Sequence, residues 1–238
     1  IACAKHFPGH GNTDLDSHTS LPTIRGTRSE LDTMELFPFY SSLNADIAMM
    51  MVGHISLPGL DESGKPASHS YSITSELLRN EWGFDGIIIT DGMEMGGLTE
   101  SSWAGESAIR AVEAGADILL LPMDVDHAIS SLIRAVESGR ISEERINRSV
   151  KRIWNMKWKT GILDGNYQLT FKELEKVIGD PEHKQIARKI AEKSITIVKD
   201  DHNQLPLKPE RIDSLAHIIL SLDDGARGYL NLFSRDIK

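Results

Sequence analysis

Gly86-Ile87-Ile88-Ile89-Thr90-Asp91-Gly92 is the stretch of this chain that indicates its fold class. The residues before Asp91 show no alternation of polar and apolar side chains, a pattern typical of a parallel strand that is buried on both faces. Runs of the same kind lie at residues 1–4, 48–52 and 116–121. Loops and helical patterns follow these runs, so the chain is predicted to alternate strands with helices, as a parallel sheet or barrel does.

Helical patterns occupy most of the sequence between the predicted strands. A helix over 74–82 would begin at Thr74, whose side chain is a good N-cap. The other predicted helices cover residues 29–44, 105–114, 125–138 and 143–159. Glycines follow all of them except the helix at 29–44, and we predict that these glycines end the helices, at Gly83, Gly115, Gly139 and Gly161.

The pattern changes after Gly161. A polar stretch over 163–172 leads into helical sequence up to residue 193, then an alternating strand at 194–198 and an apolar run at 216–220. This series predicts the opening of a second α/β domain that does not close before residue 238. The chain begins Ile1-Ala2-Cys3-Ala4, without a methionine or a signal-peptide pattern. We therefore expect an internal piece of a longer protein.

The composition excludes several classes of function. The 238 residues are 40% hydrophobic and 26% charged, which is ordinary for a globular protein. Lysine and arginine number 26 against 35 acidic residues, and the resulting net charge of −9 disfavours nucleic acid and anionic lipid as partners. The longest apolar runs are far shorter than the roughly 20 residues that span a bilayer, so no membrane segment is predicted. Cys3, the single cysteine, cannot form an internal disulfide but leaves the compartment open, either bacterial cytoplasm or cell envelope.

Polar residues follow the predicted strands at their carboxyl ends. Lys5 and His6 come after the first strand, His54 after the second and Asp91 after the third. Both a doubly wound sheet and an eightfold barrel carry their chemistry at these strand ends. No glycine-rich phosphate-binding motif follows a strand, which disfavours the nucleotide-binding sheet.

The densest group of reactive side chains lies in residues 5–18, Lys-His-Phe-Pro-Gly-His-Gly-Asn-Thr-Asp-Leu-Asp-Ser-His. Pro8, Gly9 and Gly11 impose a specific backbone path there, which favours a built site over an ordinary polar loop. A metal site is one possible use of this loop, because its histidines and aspartates are competent ligands at His6, His10, Asp16 and His18.

A second use of the loop pairs Asp16 with His18. The carboxylate would orient the imidazole and stabilise its cation, and an imidazole with a pKa near 6.5 donates and accepts protons near neutral pH. Such a pair needs a nucleophile across the site, and Asp91 at its strand end is the candidate. The alternative for Asp91 is a helix-capping or loop-bracing role, and Glu94 is expected in the turn that follows.

Two long motifs resemble those of one enzyme family. Residues 5–18 are similar to the signature K-H-F-P-G-H-G-x-T-x-x-D-S-H of the bacterial β-N-acetylhexosaminidases of glycoside hydrolase family 3. Residues 83–95 resemble that family's nucleophile strand. The Asp-Ser-His loop separates this group from the β-glucosidases of the same family.

The resemblance implies a fold and a domain order. Residues 1–161 would be the second half of a (β/α)8 barrel, residues 162–186 a linker, and residues 187–238 the beginning of a C-terminal α/β/α sandwich domain. The first four barrel units, with the acidic and arginine residues that they add to the sugar pocket, would lie outside this chain.

The resemblance also implies an activity. The β-N-acetylhexosaminidases that this chain resembles are retaining glycosidases. They release β-linked N-acetylglucosamine from peptidoglycan- or chitin-derived fragments, without a metal or another cofactor. Asp91 is then the expected nucleophile, His18 the general acid/base and Asp16 its partner. Lys5 and His6 are expected to bind sugar hydroxyls, and His54 is assigned to the substrate-binding region behind them.

Two alternatives to hydrolysis stay open at this point. A neutral histidine base repels an anionic acceptor less than a second carboxylate does, so phosphate is a possible replacement for water and the protein would then be a phosphorylase. The second alternative is a non-catalytic sugar-binding protein on the same scaffold. The presence of a candidate nucleophile argues against it, because binding alone needs none. A small saccharide is the expected partner in every case, and the oligomeric state is not readable from the sequence.

Overall fold

A computed structural model describes residues 1–11, 13, 15, 17, 20–95, 98, 104–165, 170–201, 205–206 and 208. The chain divides into two compact units, Ile1–Gln168 and Leu169–Lys238. Among the described residues, no helix is both long and apolar enough to cross a membrane. The domain boundaries expected at residues 161 and 186 stay a prediction.

Four parallel strands form one sheet in the first unit, in the spatial order β1-β2-β3-β4. β2 and β3 pair in continuous register, from Met49 opposite Ile87 to Val52 opposite Thr90. The predicted α/β fold with a parallel sheet is therefore confirmed. The strands are β1 (Cys3–Phe7), β2 (Met49–Val52), β3 (Ile87–Gly92) and β4 (Ile118–Leu120).

Helices follow the strands as the sequence predicts. The glycines expected to end four of them have left-handed φ angles of 67° at Gly83, 127° at Gly115, 75° at Gly139 and 72° at Gly161. In the first unit the helices are α1 (Arg28–Thr33), α2 (Phe37–Leu43), the π-type α3 (Ser72–Glu81), α4 (Ala104–Ala114), α5 (Val125–Glu137) and α6 (Glu143–Lys159). The second unit contains α7 (Phe171–Leu174) and α8 (Pro181–Ser194).

The bounds predicted for two strand ends are wrong. β1 continues to Phe7, so Lys5 and His6 lie inside the strand, and β3 continues to Gly92, so Asp91 lies inside it as well. Among the described residues β1 pairs with β2. Its exposed residues, Lys5 among them, alternate with more buried ones, so β1 lacks the predicted burial on both faces.

Two helix predictions also need correction. The single helix expected over 29–44 is two helices, because Pro38 lacks an N–H and can only occupy the first turn of a new helix. Thr74 does not cap α3. It is fully buried inside the helix and its hydroxyl donates to Ala67 O at 2.8 Å, while Ser70 Oγ accepts the Ile73 N–H at 3.2 Å.

The strand predicted at 194–198 is wrong as well. Residues 195–200 form no regular structure, and Val198 is 94% exposed. Alternation alone does not make a strand, since a strand needs a partner for its backbone groups, and the described residues provide none there. The apolar run at 216–220 lies outside the described residues.

The two faces of the sheet differ. Phe7, Met50, Val52 and Ile88 belong to one buried apolar cluster with residues of the neighbouring helices. Because successive strand residues point to opposite faces, Asp91 shares the other face with Ile87 and Ile89. The Asp91 carboxylate is therefore on the face away from the helix-covered core.

Asp117 connects a strand and two helices of the first unit at the amino-terminal end of the sheet. Its fully buried carboxylate pairs with Arg79 of α3 and accepts hydrogen bonds from Ser149 Oγ of α6 at 2.6 Å and from Ile88 N of β3 at 3.0 Å. Its own N–H donates to Ile88 O at 2.7 Å. Burial lowers the pKa of Arg79 to about 10, which still leaves the guanidinium charged at neutral pH. Two helices and a strand thus converge on one carboxylate.

We predict that Asp117→Ala destabilises the full-length protein by about 3–5 kcal/mol, because it leaves a buried arginine without its counter-charge. The free energy of unfolding in urea measures this loss. Asp85→Ala is the matched control, since Asp85 also pairs with a helix arginine, Arg152, at 3.4 Å but has a 93% exposed side chain. Equal losses in both variants would show that the network does not hold the sheet and helices together.

Candidate active site

Three strand ends bring polar side chains together at the carboxyl edge of the sheet. His6 lies in β1, His54 follows β2 and Asp91 lies in β3. His6 Nε2 is 3.7 Å from Asp91 Oδ2, the distance of an ion pair when the imidazole is protonated. The structure therefore places two of the predicted site residues opposite each other, across the intervening strand β2.

Gly53, at the end of β2, makes this approach possible. A Cβ on this residue would lie 3.3 Å from His6 Cβ and 3.3 Å from Ile55 Cδ1, which is tighter than ordinary packing. Glycine leaves room for the His6 side chain between the first and third strands. The Asp91 side chain stays 17% exposed and the His6 side chain 33% exposed, so both are accessible to a small molecule.

Within the described part of the chain, a backbone hydrogen bond anchors one oxygen of the Asp91 carboxylate. Its Oδ1 accepts the N–H of the next residue, Gly92, at 2.9 Å. Oδ2 is the oxygen that faces His6. The two oxygens thus differ in their surroundings, one bound to backbone and the other directed toward the histidine.

His54 is buried behind Asp91, with 1% of its surface exposed. Its Nδ1 is 2.8 Å from Ser68 Oγ, and its Nε2 is 3.0 Å from Gly92 O. Burial lowers the pKa of His54, although the nearby Gly92 carbonyl and Asp91 charge oppose this. The imidazole is therefore neutral at physiological pH.

His69 extends this buried region toward α4. Its Nε2 is 3.1 Å from Ser107 Oγ, and 7% of its surface is exposed. Burial lowers the pKa of His69 to about 4, and the neighbouring His54 and Arg110 act in the same direction. Two adjacent histidines are thus both kept uncharged in the folded protein.

The loop after β1 turns over a buried glutamate. Gly9 and Gly11 have φ angles of 122° and 34°. A Cβ on Gly9 would come within 2.9 Å of the Glu35 backbone oxygen, and one on Gly11 within 2.6 Å of Glu35 Oε1. His10 Nε2 lies 3.1 Å from Ser17 Oγ. The specific path expected from the glycines is therefore present, and His10 has a bracing contact within the loop.

The remaining predicted site residues have different outcomes. Lys5 lies exposed in β1. Asp16 and His18, the expected acid/base pair, lie outside the described residues, as do Asp14 and Trp103. Trp82 packs edge-on against Phe7, with ring centroids 5.6 Å apart, so it has the core position that its sequence context favours. Among the described residues no three potential ligands cluster as a metal site would require, but the candidate set includes two that are not described.

Several residues of the site were not identified from the sequence. Glu35 is 8% exposed beneath the glycine turn, and Ser68 and Ser107 bind the buried histidines. Serines are common in loops, and only the three-dimensional contact distinguishes these two. The burial of Glu35 could have been suspected from the sequence, because this acidic residue lies between two apolar ones, Met34 and Leu36, at the break in a helical pattern.

Comparison with known proteins settles the family. Residues 1–156 match the N-terminal domain of glycosyl hydrolase family 3. The chain belongs to glycosyl hydrolase family 3. This confirms the resemblance stated from the two motifs, and it makes the strand-end cluster the candidate active site of a family of glycosidases.

The family-3 relatives include β-hexosaminidase A of Pseudoalteromonas piscicida, 31% identical over 92% of this chain and 39% of the relative. A solved β-N-acetylglucosaminidase of the family from Paenibacillus is 39% identical, with a TM-score of 0.74 over 84% of this chain and 38% of that one. A β-glucoside phosphorylase is 28% identical, with a TM-score of 0.78 over 87% of this chain and 39% of that one. The family-3 chain thus spans about two fifths of these relatives.

We predict that acid destabilises the folded protein through His69. The unfolded chain protonates this histidine below about pH 6.5, whereas the folded protein does so only near pH 4, so the stability contributed by the neutral form is lost as the pH falls between these values. The difference corresponds to about 3 kcal/mol. His54 acts in the same direction.

The measurement is the urea midpoint of the full-length protein at several pH values between 7 and 4. Carboxylates also contribute to acid unfolding, so the informative quantity is the difference from His69→Gln, which does not titrate. We expect the variant to be less stable at pH 7 and to show a shallower loss toward pH 4. Parallel curves for the two proteins would contradict the neutral state of His69.

Proposed function

We propose that the full-length protein is a retaining β-N-acetylglucosaminidase that acts on peptidoglycan- or chitin-derived fragments. The observation that supports this most is the position of Asp91, a partly exposed carboxylate at a strand end, with Oδ2 directed toward His6 at 3.7 Å. In a family-3 chain with relatives named β-hexosaminidase, a carboxylate placed this way is suited to attack a sugar.

We place the sheet in a (β/α)8 barrel, of which β1 to β4 are the second half. The face that carries Ile87, Ile89 and Asp91 would then line the barrel interior. Residues 162–186 would link it to a second domain that begins near residue 187. The other half of the barrel would contribute the remaining residues of the sugar pocket.

The reaction proceeds in two steps. Asp91 Oδ2 forms a bond to the anomeric carbon while the bond from that carbon to the leaving oxygen breaks, and protonated His18 gives its proton to that oxygen. Water then attacks the glycosyl-enzyme, the bond to Asp91 breaks, and neutral His18 takes the proton from water. Two inversions at the anomeric carbon give net retention. Asp16 orients His18 and stabilises its cation, which is present before the first step and again after the second.

Lys5 and His6 have supporting roles in this scheme. We assign His6, beside Asp91, to binding a sugar hydroxyl. Lys5 lies next to it in β1 and is exposed, so its ammonium has the reach and the freedom to bind a second hydroxyl. No metal or other cofactor takes part in any step.

Phosphorolysis is the second candidate reaction, and the similarity of this chain to a β-glucoside phosphorylase supports it. Phosphate would attack the glycosyl-enzyme in place of water and give a sugar 1-phosphate. The two reactions share every residue named above. They differ only in the acceptor of the second step.

The proposal is tested with the full-length protein and two N-acetyl-β-glucosaminides, one with an activated aryl leaving group and one with an alkyl leaving group. We predict turnover of both, with the β-anomer formed first. His18→Ala should lower the glycosylation rate roughly 10²- to 10⁴-fold for the alkyl substrate and much less for the aryl one, because only the alkoxide needs a proton as it leaves. Asp16→Asn should act in the same direction but more weakly.

Each alternative has its own result in this experiment. An equal loss on both substrates would remove His18 from the acid role. Sugar 1-phosphate formed on addition of phosphate would identify a phosphorylase, and activity lost to a chelator would identify a metal hydrolase. Binding of both sugars without turnover would leave a sugar-binding protein.

A further inference from the structure

His54 makes contacts that suit a role other than binding sugar. Both of its ring nitrogens are engaged within the protein, Nδ1 with Ser68 Oγ at 2.8 Å and Nε2 with Gly92 O at 3.0 Å. The side chain is 1% exposed. A residue without a free polar atom or an exposed surface influences a reaction through the groups that it holds in place.

The contacts fix the protonation pattern of this histidine. A carbonyl oxygen only accepts, so Nε2, which faces Gly92 O, carries the hydrogen. A neutral ring then has a lone pair on Nδ1, and the Ser68 hydroxyl donates to it. His54 is therefore held as one tautomer with a defined ring orientation.

Gly92, the residue bound by His54, also holds the Asp91 carboxylate. Its N–H donates to Asp91 Oδ1 at 2.9 Å, and its carbonyl oxygen accepts from His54 Nε2 and from Met95 N at 3.1 Å. Both backbone groups of Gly92 are thus committed. The N–H and the C=O of Gly92 belong to successive peptide planes that share its Cα, so a held carbonyl restricts the φ and ψ angles of this glycine. The N–H that binds Oδ1 is thereby kept in place, and with it the direction of the other oxygen, Oδ2.

We propose that His54 is a positioning residue that, through the Gly92 carbonyl, directs Asp91 Oδ2 at the anomeric carbon. This inference rests on the proposed role of Asp91 as the nucleophile. Oδ1 stays bound to the Gly92 N–H and Oδ2 becomes the attacking atom. A carboxylate that rotates away from this direction reacts slowly even when the sugar is bound normally.

The chain offers a matched set of variants. His54→Leu removes the donor to Gly92 O at similar volume, and His54→Gln restores a donor at a similar position. Ser68→Ala keeps the imidazole but removes its partner at Nδ1. His69→Gln is the control, because His69 is also a buried histidine that bonds a serine, yet its partner is Ser107 and the described contacts do not join it to Gly92.

The experiment measures glycosylation in the full-length protein, as the burst of aryl leaving group from an activated N-acetyl-β-glucosaminide, together with KM. For His54→Leu we expect a rate lower by about 10- to 100-fold with KM within about threefold of wild type. His54→Gln should recover most of the rate, and Ser68→Ala should fall in between. His69→Gln should glycosylate at the wild-type rate despite lower stability.

The outcomes separate this proposal from the proposed function. A wild-type rate in folded His54→Leu and in Ser68→Ala, or a loss confined to KM, would overturn the positioning role. A rate loss in His69→Gln equal to that in His54→Leu would show general loosening of the buried region instead. If Asp91→Ala keeps a normal burst, the nucleophile assignment itself fails, whatever the His54 variants do.

Discussion

The register between β2 and β3 is the constraint on which the candidate site depends. Met49 lies opposite Ile87 and Val52 opposite Thr90, and with this pairing Asp91 is on the face away from the helices. A slip of one residue would turn the carboxylate into the apolar core and bring a neighbouring side chain to its place. The position of the proposed nucleophile is therefore a consequence of strand pairing.

Polar groups at the two ends of the sheet serve different purposes. At the amino-terminal end, the Asp117 carboxylate accepts a hydrogen bond from the Ile88 N–H, and the Asp117 N–H donates to the Ile88 carbonyl. These two bonds hold β3 against β4 and the helices. At the carboxyl end, His54 and His69 are kept neutral by burial, so they add hydrogen bonds without adding charge beside Asp91. The buried ion-pair network and the candidate site thus lie at opposite ends of the strands, as stabilising and catalytic residues do in barrel enzymes.

Much of the fold was predictable because its signals are local. The apolar run before Asp91 predicted β3, and the period and terminal glycines of α4, α5 and α6 predicted those helices to within a residue or two. The break between α1 and α2 depended on Pro38, and the strand expected at 194–198 depended on a pairing partner that no local pattern reveals. The rule for strand ends put His6 and Asp91 at the same edge of the sheet, although it did not predict their contact. The Ser68–His54–Gly92 chain joins residues far apart in sequence that carry no motif.

The central claim is that Asp91 forms the covalent bond to the sugar, and trapping that bond tests it most directly. The full-length protein would be inactivated with a fluorinated N-acetyl-β-glucosaminide analogue, digested, and its labelled peptide sequenced by mass spectrometry. We expect one sugar per protein molecule, attached to Asp91, and no label on Asp91→Ala. A label on Glu94 or Asp85, or complete turnover without any trapped intermediate, would contradict the account.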